Sequence, residues 1–125
     1  MAVEPDAQQM ADIAALAGAD GDGPVVMLNL NRYLDRDAYL SYGDVALRVL
    51  DRVGGRILWQ ADCRQTVIGD DSDRYDEAIA VWYPSVAAFT ALATDPEILD
   101  ARKIREAALE RAALICCEAP AQANS

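Results

Sequence analysis

An α+β fold, with one four-stranded antiparallel sheet carrying helices on one face, follows from the order of two kinds of hydrophobic spacing along this 125-residue chain. Residues 25–31, 56–68, 77–84 and 111–118 read as strands. Apolar residues recur at helical spacing over 36–53 and again after Asp95-Pro96, and a polar run joins the second strand to the third. The resulting order, β-α-β-β-α-β, is the ferredoxin-like arrangement.

Each element has a local reason. Residues 5–17 (PDAQQMADIAALA) place Met10, Ile13, Leu16 and Ala17 at helical spacing, and Pro5 suits a first turn. The breaker GADGDGP (18–24) separates this helix from the first strand. Residues 1–23 are therefore a helical extension with its linker, 24–118 the ferredoxin-like domain, and 119–125 a disordered polar tail. Along VVMLNLN, Val26, Leu28 and Leu30 share one face, while Met27, Asn29 and Asn31 share the other. Asp35 can cap the helix 36–53, whose stripe runs through Tyr39, Tyr42, Ala46, Val49 or Leu50, and Val53. Asp44 and Arg48 form an i,i+4 pair on its polar face, and Gly54-Gly55 supplies a left-handed end.

Arg56 to Ile68 reads as one long, bulged strand, GDDSDRYD (69–76) as a connection and EAIAVWYP (77–84) as its hairpin partner. Ser85 caps a short helix with Phe89 and Leu92 inward. Asp95-Pro96 starts another, with Ile98, Ala101, Ile104 and Ala108 along its stripe. Residues 111–118 close the sheet.

Composition narrows function. The net charge of −10 repels phosphate backbones and anionic lipid surfaces, so neither nucleic acid nor membrane is an expected partner. No apolar run approaches the roughly 20 residues that span a bilayer. The acidic start lacks the features of a secretory signal, which points to a soluble cytoplasmic protein. Cys63, Cys116 and Cys117 have no disulfide or zinc spacing and read as reduced thiols. The chain contains no histidine, which removes Ser-His-Asp and Cys-His nucleophiles, His-ligated haem and most catalytic zinc. No metal and no cofactor is called for. The acidic runs 20–23 and 69–77 lack EF-hand spacing and read as solvated connections.

The string VVMLNLNRY, then Asp37-Ala38-Tyr39 with Tyr42, then Gly54-Gly55-Arg56-Ile57-Leu58-Trp59, resembles the family of the domain of unknown function 1330 (DUF1330). Thr66-Val67-Ile68-Gly69, Tyr83-Pro84-Ser85 with Phe89, and Asp95-Pro96 extend the resemblance. It implies the dimeric α/β-barrel superfamily, in which two sheets pair face to face. Relatives by fold include cofactor-independent monooxygenases, muconolactone isomerases, haem enzymes and stress proteins. The family carries no agreed activity, so the resemblance transfers no catalytic residue.

A homodimer is also expected on physical grounds. The sheet face without helices must carry either Ile79, Val81 and Tyr83 or Ala78, Ala80 and Trp82, and a monomer rarely leaves such a patch open. If Val26, Leu28 and Leu30 pack under the helices, Asn29 and Asn31 point into the barrel. There they either fix a ligand's carbonyl or hydroxyl, or bond neighbouring backbone and water. Trp59, Trp82 and Tyr83 are a candidate aromatic wall or ordinary core. Tyr42, beside Tyr39, carries its hydroxyl to solvent or a cavity edge. Arg32, Arg102 and Arg105 receive a carboxylate or pair with the chain's many acids. Asp62 is a general base if buried, and otherwise marks a bulge or an exposed edge.

The function expected is that of a small-molecule-binding dimer for an apolar or aromatic compound. Cofactor-independent oxygenation or isomerisation of an aromatic or enolisable substrate fits the residue inventory. The alternative is a stress or structural dimer whose barrel is filled by its own side chains.

Overall fold

The computed structural model describes residues 3–19 and 23–121. Helix α1 spans Ala7–Ala19, strand β1 Val25–Tyr33, α2 Arg36–Arg52 and β2 Arg56–Asp62. After a 3-10 turn at Asp71–Asp73 come β3 (Glu77–Tyr83), α3 (Val86–Ala93), α4 (Pro96–Ala108) and β4 (Leu109–Glu118). The strands form one antiparallel sheet in the order β2-β3-β1-β4, the ferredoxin-like topology. Much of the linker (residues 20–22) and of the expected tail (122–125) lies outside the described residues.

The later helix starts are where the sequence places them, whereas α1 begins at Ala7, beyond Pro5, with Asp6 accepting from the Gln9 N–H. Asp35 accepts from the Ala38 N–H, Ser85 from Ala88 and Asp95 from Glu97, and Pro96 stands in the first turn of α4. Gly54 takes φ +84°, a conformation that a side chain resists, and its N–H bonds the Asp51 carbonyl. Gly55 is required for a different reason. A Cβ there would overlap Leu50 Cδ1 and lie 3.0 Å from the Trp82 carbonyl oxygen. Gly55→Ala is expected to cost about 1–3 kcal/mol through this overpacking, read as a lower urea midpoint at an unchanged m-value.

The core lies between the sheet and α2, α3 and α4: Met27, Val49, Leu50, Val81, Tyr83, Phe89, Leu92 and Ile98. Val49 and Leu50 are both buried. The face of β3 under the helices is thus Ile79, Val81 and Tyr83, which leaves Ala78, Ala80 and Trp82 on the other face. Arg48 does not close its pair with Asp44. It reaches Glu97 on α4 at 3.3 Å, and Arg52 joins both Glu97 and Asp95. These exposed bridges orient α2 against α4 more than they stabilise either helix.

Two expectations about the sheet are corrected. Strand β2 stops at Asp62 rather than Ile68, because β3 begins opposite it at Glu77 and offers no further partner. Val67 and Ile68 are consequently among the most exposed apolar side chains. The bulge lies between Ile57 and Trp59, away from Asp62, so Ile57, Gln60 and Asp62 come to share one face.

The second correction concerns β1. The face under the helices is Val25, Met27, Asn29, Asn31 and Tyr33, while Val26, Leu28 and Leu30 face the other way. Register shows it: Val26 stands opposite Trp82, and Met27 opposite the core residue Val81. Polarity identifies the outer face only where the inner one is dry. Here the inward amides are satisfied, Asn29 Nδ2 by the Met27 carbonyl at 3.2 Å and Asn31 Nδ2 by tyrosine hydroxyls. Burying them therefore costs little.

A candidate functional site between sheet and helices

A cavity of about 940 Å³ separates the inner face of the sheet from the helices. Its walls are Met27, Ile79 and Val81 from the strands, Leu50 from α2, Phe89 and Leu92 from α3, and Ile98 from α4. Met10 and Ile13 of α1 close one side, so the N-terminal helix is part of the enclosure. The volume lies within the range of small-molecule sites.

One wall of the cavity is polar. Tyr33 donates its hydroxyl to Glu77 Oε1 at 2.5 Å. Glu77 Oε2 accepts from Arg36 Nη2 at 2.9 Å and from Gln60 Nε2 at 3.0 Å. Arg36 also holds Asp62 at 2.5 Å. Asn31, 1% exposed, directs Nδ2 towards the hydroxyls of Tyr33 at 3.4 Å and Tyr39 at 3.5 Å. The Tyr39 ring meets Tyr33 and Tyr42 at centroid separations of 5.1 and 5.4 Å. The Arg105 guanidinium lies 5.9 Å from the Tyr42 ring centroid. A continuous polar line therefore runs from Glu77 through Tyr33, Asn31 and Tyr39 to Arg105.

Burial pushes the hydroxyl pKa of Tyr33, Tyr39, Tyr42 and Tyr83 upward. Tyr42 rises to about 12, and the Arg105 charge restrains the rise at Tyr39 and Tyr42. All four are neutral hydrogen-bond donors at physiological pH. The hydroxyls of Tyr42 and Tyr83 find no hydrogen-bond partner among the described residues, and both residues line the cavity. Such groups are the fixed polar points that orient a bound molecule.

Of the residues singled out in the sequence, Asn29, Tyr39, Tyr42, Tyr83, Arg102 and Arg105 line the cavity, and Asn31 stands behind it, holding two of its hydroxyls. They face the helices and not a space between two sheets. Trp59 and Trp82 do not join them. Trp82 alternates with Val81 and Tyr83 onto the outer face, where Arg56 stacks on it at 4.3 Å, and Trp59 pairs with Ala80 on that face. Arg32 is spent on structure, with Nε 2.8 Å from Glu110 and Nη2 3.1 Å from Asp71. Asp62 is an exposed strand end. Tyr33, Arg36, Gln60 and Glu77 were not found from the sequence. The signal for two of them was available: Tyr33 has the parity of Asn29 and Asn31, and Glu77 that of Ile79, Val81 and Tyr83.

No helix among the described residues is long and apolar enough to cross a membrane. No curated protein matches the chain in sequence. Among solved structures, a Rhodopseudomonas palustris protein of unknown function is 32% identical, with a TM-score of 0.83 over 94% of this chain and 96% of its own. A hydroxynitrile lyase from Passiflora edulis superposes with a TM-score of 0.59 at 16% identity, covering 79% of this chain and 95% of the lyase. A dimeric ferredoxin-like protein of unknown function from Thermobifida fusca has a TM-score of 0.52 at 14% identity, over 80% and 93% of the two chains. These two likenesses establish the fold alone. The family model of a domain of unknown function, DUF1330, matches residues 25–119, from the first residue of β1 to just past the end of β4, and the chain belongs to that family.

Proposed function

We propose that the protein is a homodimeric small-molecule-binding protein whose ligand, an apolar or aromatic compound, occupies the cavity between the sheet and the helices of each protomer. The observation that carries this reading is the cavity itself: apolar walls along which the hydroxyls of Tyr42 and Tyr83 have no partner among the described residues. A merely structural core would close over such hydroxyls or pair them. In this reading residues 24–118 form the binding domain, and the N-terminal helix is its cover.

The dimer follows from the outer sheet face. Leu28 and Leu30 are half-buried there, with Ile115 and Trp59 at 48% and 50% exposure. A second copy related by a twofold axis covers that apolar surface with an identical one, and the T. fusca protein of this fold is described as dimeric.

Turnover, if the ligand is a substrate, is proton transfer on an enolisable compound. The Tyr39 hydroxyl, which accepts from Asn31, keeps its own proton to donate to a developing oxyanion, whereas the Tyr33 proton is already committed to Glu77. Native mass spectrometry of protein purified gently from its own host is expected to show a dimer with one small-molecule adduct per chain. Ile79→Trp, which puts an indole into the cavity, is expected to abolish the adduct while the dimer persists. An adduct that survives the substitution places the ligand elsewhere, and its absence from the unaltered protein counts against the reading.

A further inference from the structure

Resting on the small-molecule reading above, we infer that the ligand is a carboxylic acid with an apolar body, that Arg105 receives its carboxylate, and that Glu4 holds this position while the site is empty. Arg105, on the third turn of α4, has a side chain only 13% exposed and borders the cavity. Its counter-ion does not come from the sheet or from α2, its neighbours in the core. Nη1 is held by Glu4 Oε1 at 2.7 Å and by the Val3 carbonyl, from the short segment ahead of α1, about a hundred residues away in sequence.

A guanidinium this deep requires an anion, because an unpaired buried charge is far costlier than a paired one. What supplies the anion here is a carboxylate on the chain's first few residues, joined through Pro5 to α1. That segment can leave without breaking a strand pair or disturbing the core under α2. The geometry around Arg105 suits a replacement carboxylate. A planar guanidinium can bind both carboxylate oxygens in parallel. Beside it stand the Tyr42 hydroxyl, without a partner among the described residues, and the Tyr39 hydroxyl, which accepts from Asn31 and keeps its own proton to donate. The walls of Met27, Ile79, Val81 and Phe89 then receive the hydrocarbon or aromatic body.

Two other cations line the cavity: Arg102, which is exposed to solvent and needs no buried counter-ion, and Arg36, which is already shared between Glu77 and Asp62 from the sheet. Asp62 is an exposed strand end, but Glu77 is buried on β3 and cannot move aside without giving up Tyr33 and Gln60. Glu4 can, and this singles out Arg105. The net charge of −10 works against an anion at long range, but is screened within about 8 Å at physiological salt, so recognition depends on the local cation.

The test is calorimetric titration of the full chain with 2-naphthoate and with its neutral isostere 2-naphthamide, repeated on Glu4→Gln and Arg105→Gln. Glu4→Gln keeps the side chain's shape and removes the competing charge. It is expected to tighten 2-naphthoate about tenfold, the effect of removing a modest internal competitor, with 2-naphthamide unchanged within twofold. Arg105→Gln is expected to erase any preference for the acid. Since Arg105→Gln removes a buried cation and can unfold the protein, the Glu4→Gln result decides on its own. Equal responses of the two ligands to Glu4→Gln, or binding of the amide with no binding of the acid, overturn the assignment of Arg105 and leave the cavity a ligand site. Failure of both compounds to bind any form overturns the assignment together with the small-molecule reading beneath it.

Discussion

Glu77→Leu is expected to lower stability by about 3 kcal/mol, near the lower end of the cost of removing one partner from a buried ion pair. Glu77 is 4% exposed and accepts from three side chains on three different elements: Tyr33 of β1, Arg36 of α2 and Gln60 of β2. Leucine fills the volume but returns none of those acceptors. Arg36 retains Asp62 and is half in solvent, which keeps the loss from reaching the upper end. Tyr33 has no such recourse, because the remaining group near its hydroxyl, Asn31 Nδ2, is itself a donor. Chemical denaturation should show the midpoint falling at constant m. Glu77→Gln, which keeps one carbonyl acceptor, should recover roughly half the loss by the worth of a hydrogen bond. Equal stability of Glu77→Leu and the unaltered protein would show that this wall is wet and loosely held.

Leu28→Asp is expected to convert the dimer to a monomer without unfolding the domain. Leu28 lies at the middle of a central strand on the outer face, between Ala80 and Ile115, and has no part in the helix-side core. A carboxylate at this position stays solvated in a free protomer. In a twofold pair of sheets it would be buried in apolar surroundings beside a symmetry-related copy of the same charge, which raises dissociation at least about a hundredfold on the scale of interface anchors. Sedimentation at several concentrations, with far-ultraviolet circular dichroism to confirm the fold, separates the two effects. A variant that still sediments as a dimer would place the interface on another surface.

The sequence alone was a good guide to what is decided within a few residues. Asp35, Ser85 and Asp95 cap helices because each carries a side-chain acceptor within reach of its own next turn. Gly54 ends α2 because a positive φ suits a residue without Cβ. The β-α-β-β-α-β order, and with it the topology, follows from such local signals placed in sequence. The failures all concern relations between distant segments. A strand that alternates Val-Leu-Leu with Met-Asn-Asn does not say which side faces the helices. That depended on Tyr33 and Tyr39 reaching Asn31, and on Met27 meeting Val49 and Leu50. The end of β2 depended on where β3 begins, which Val67 and Ile68 cannot know from their own propensities.

The site divides in the same way. Asn29, Asn31, Tyr42, Tyr83 and Arg105 could be singled out as residues able to orient a ligand, because polar or amphipathic groups on apolar stripes are visible in a string of letters. That four of these surround one cavity with Asn31 behind it, while Trp59 and Trp82 stand behind the sheet, is a matter of strand parity and of the bulge between Ile57 and Trp59. Glu77 meeting Arg36 across 41 positions, and Glu4 meeting Arg105 across 101, had no local trace. Charge pairs are long-range choices among many acids and few cations, and only the folded chain brings the chosen ones within hydrogen-bond distance. The one-dimensional pattern thus determined the elements, their ends and their order, since those depend on backbone sterics and nearest neighbours. Tertiary structure decided the facing of the sheet, the cavity and its charge partners, since those depend on which distant surfaces exclude water together.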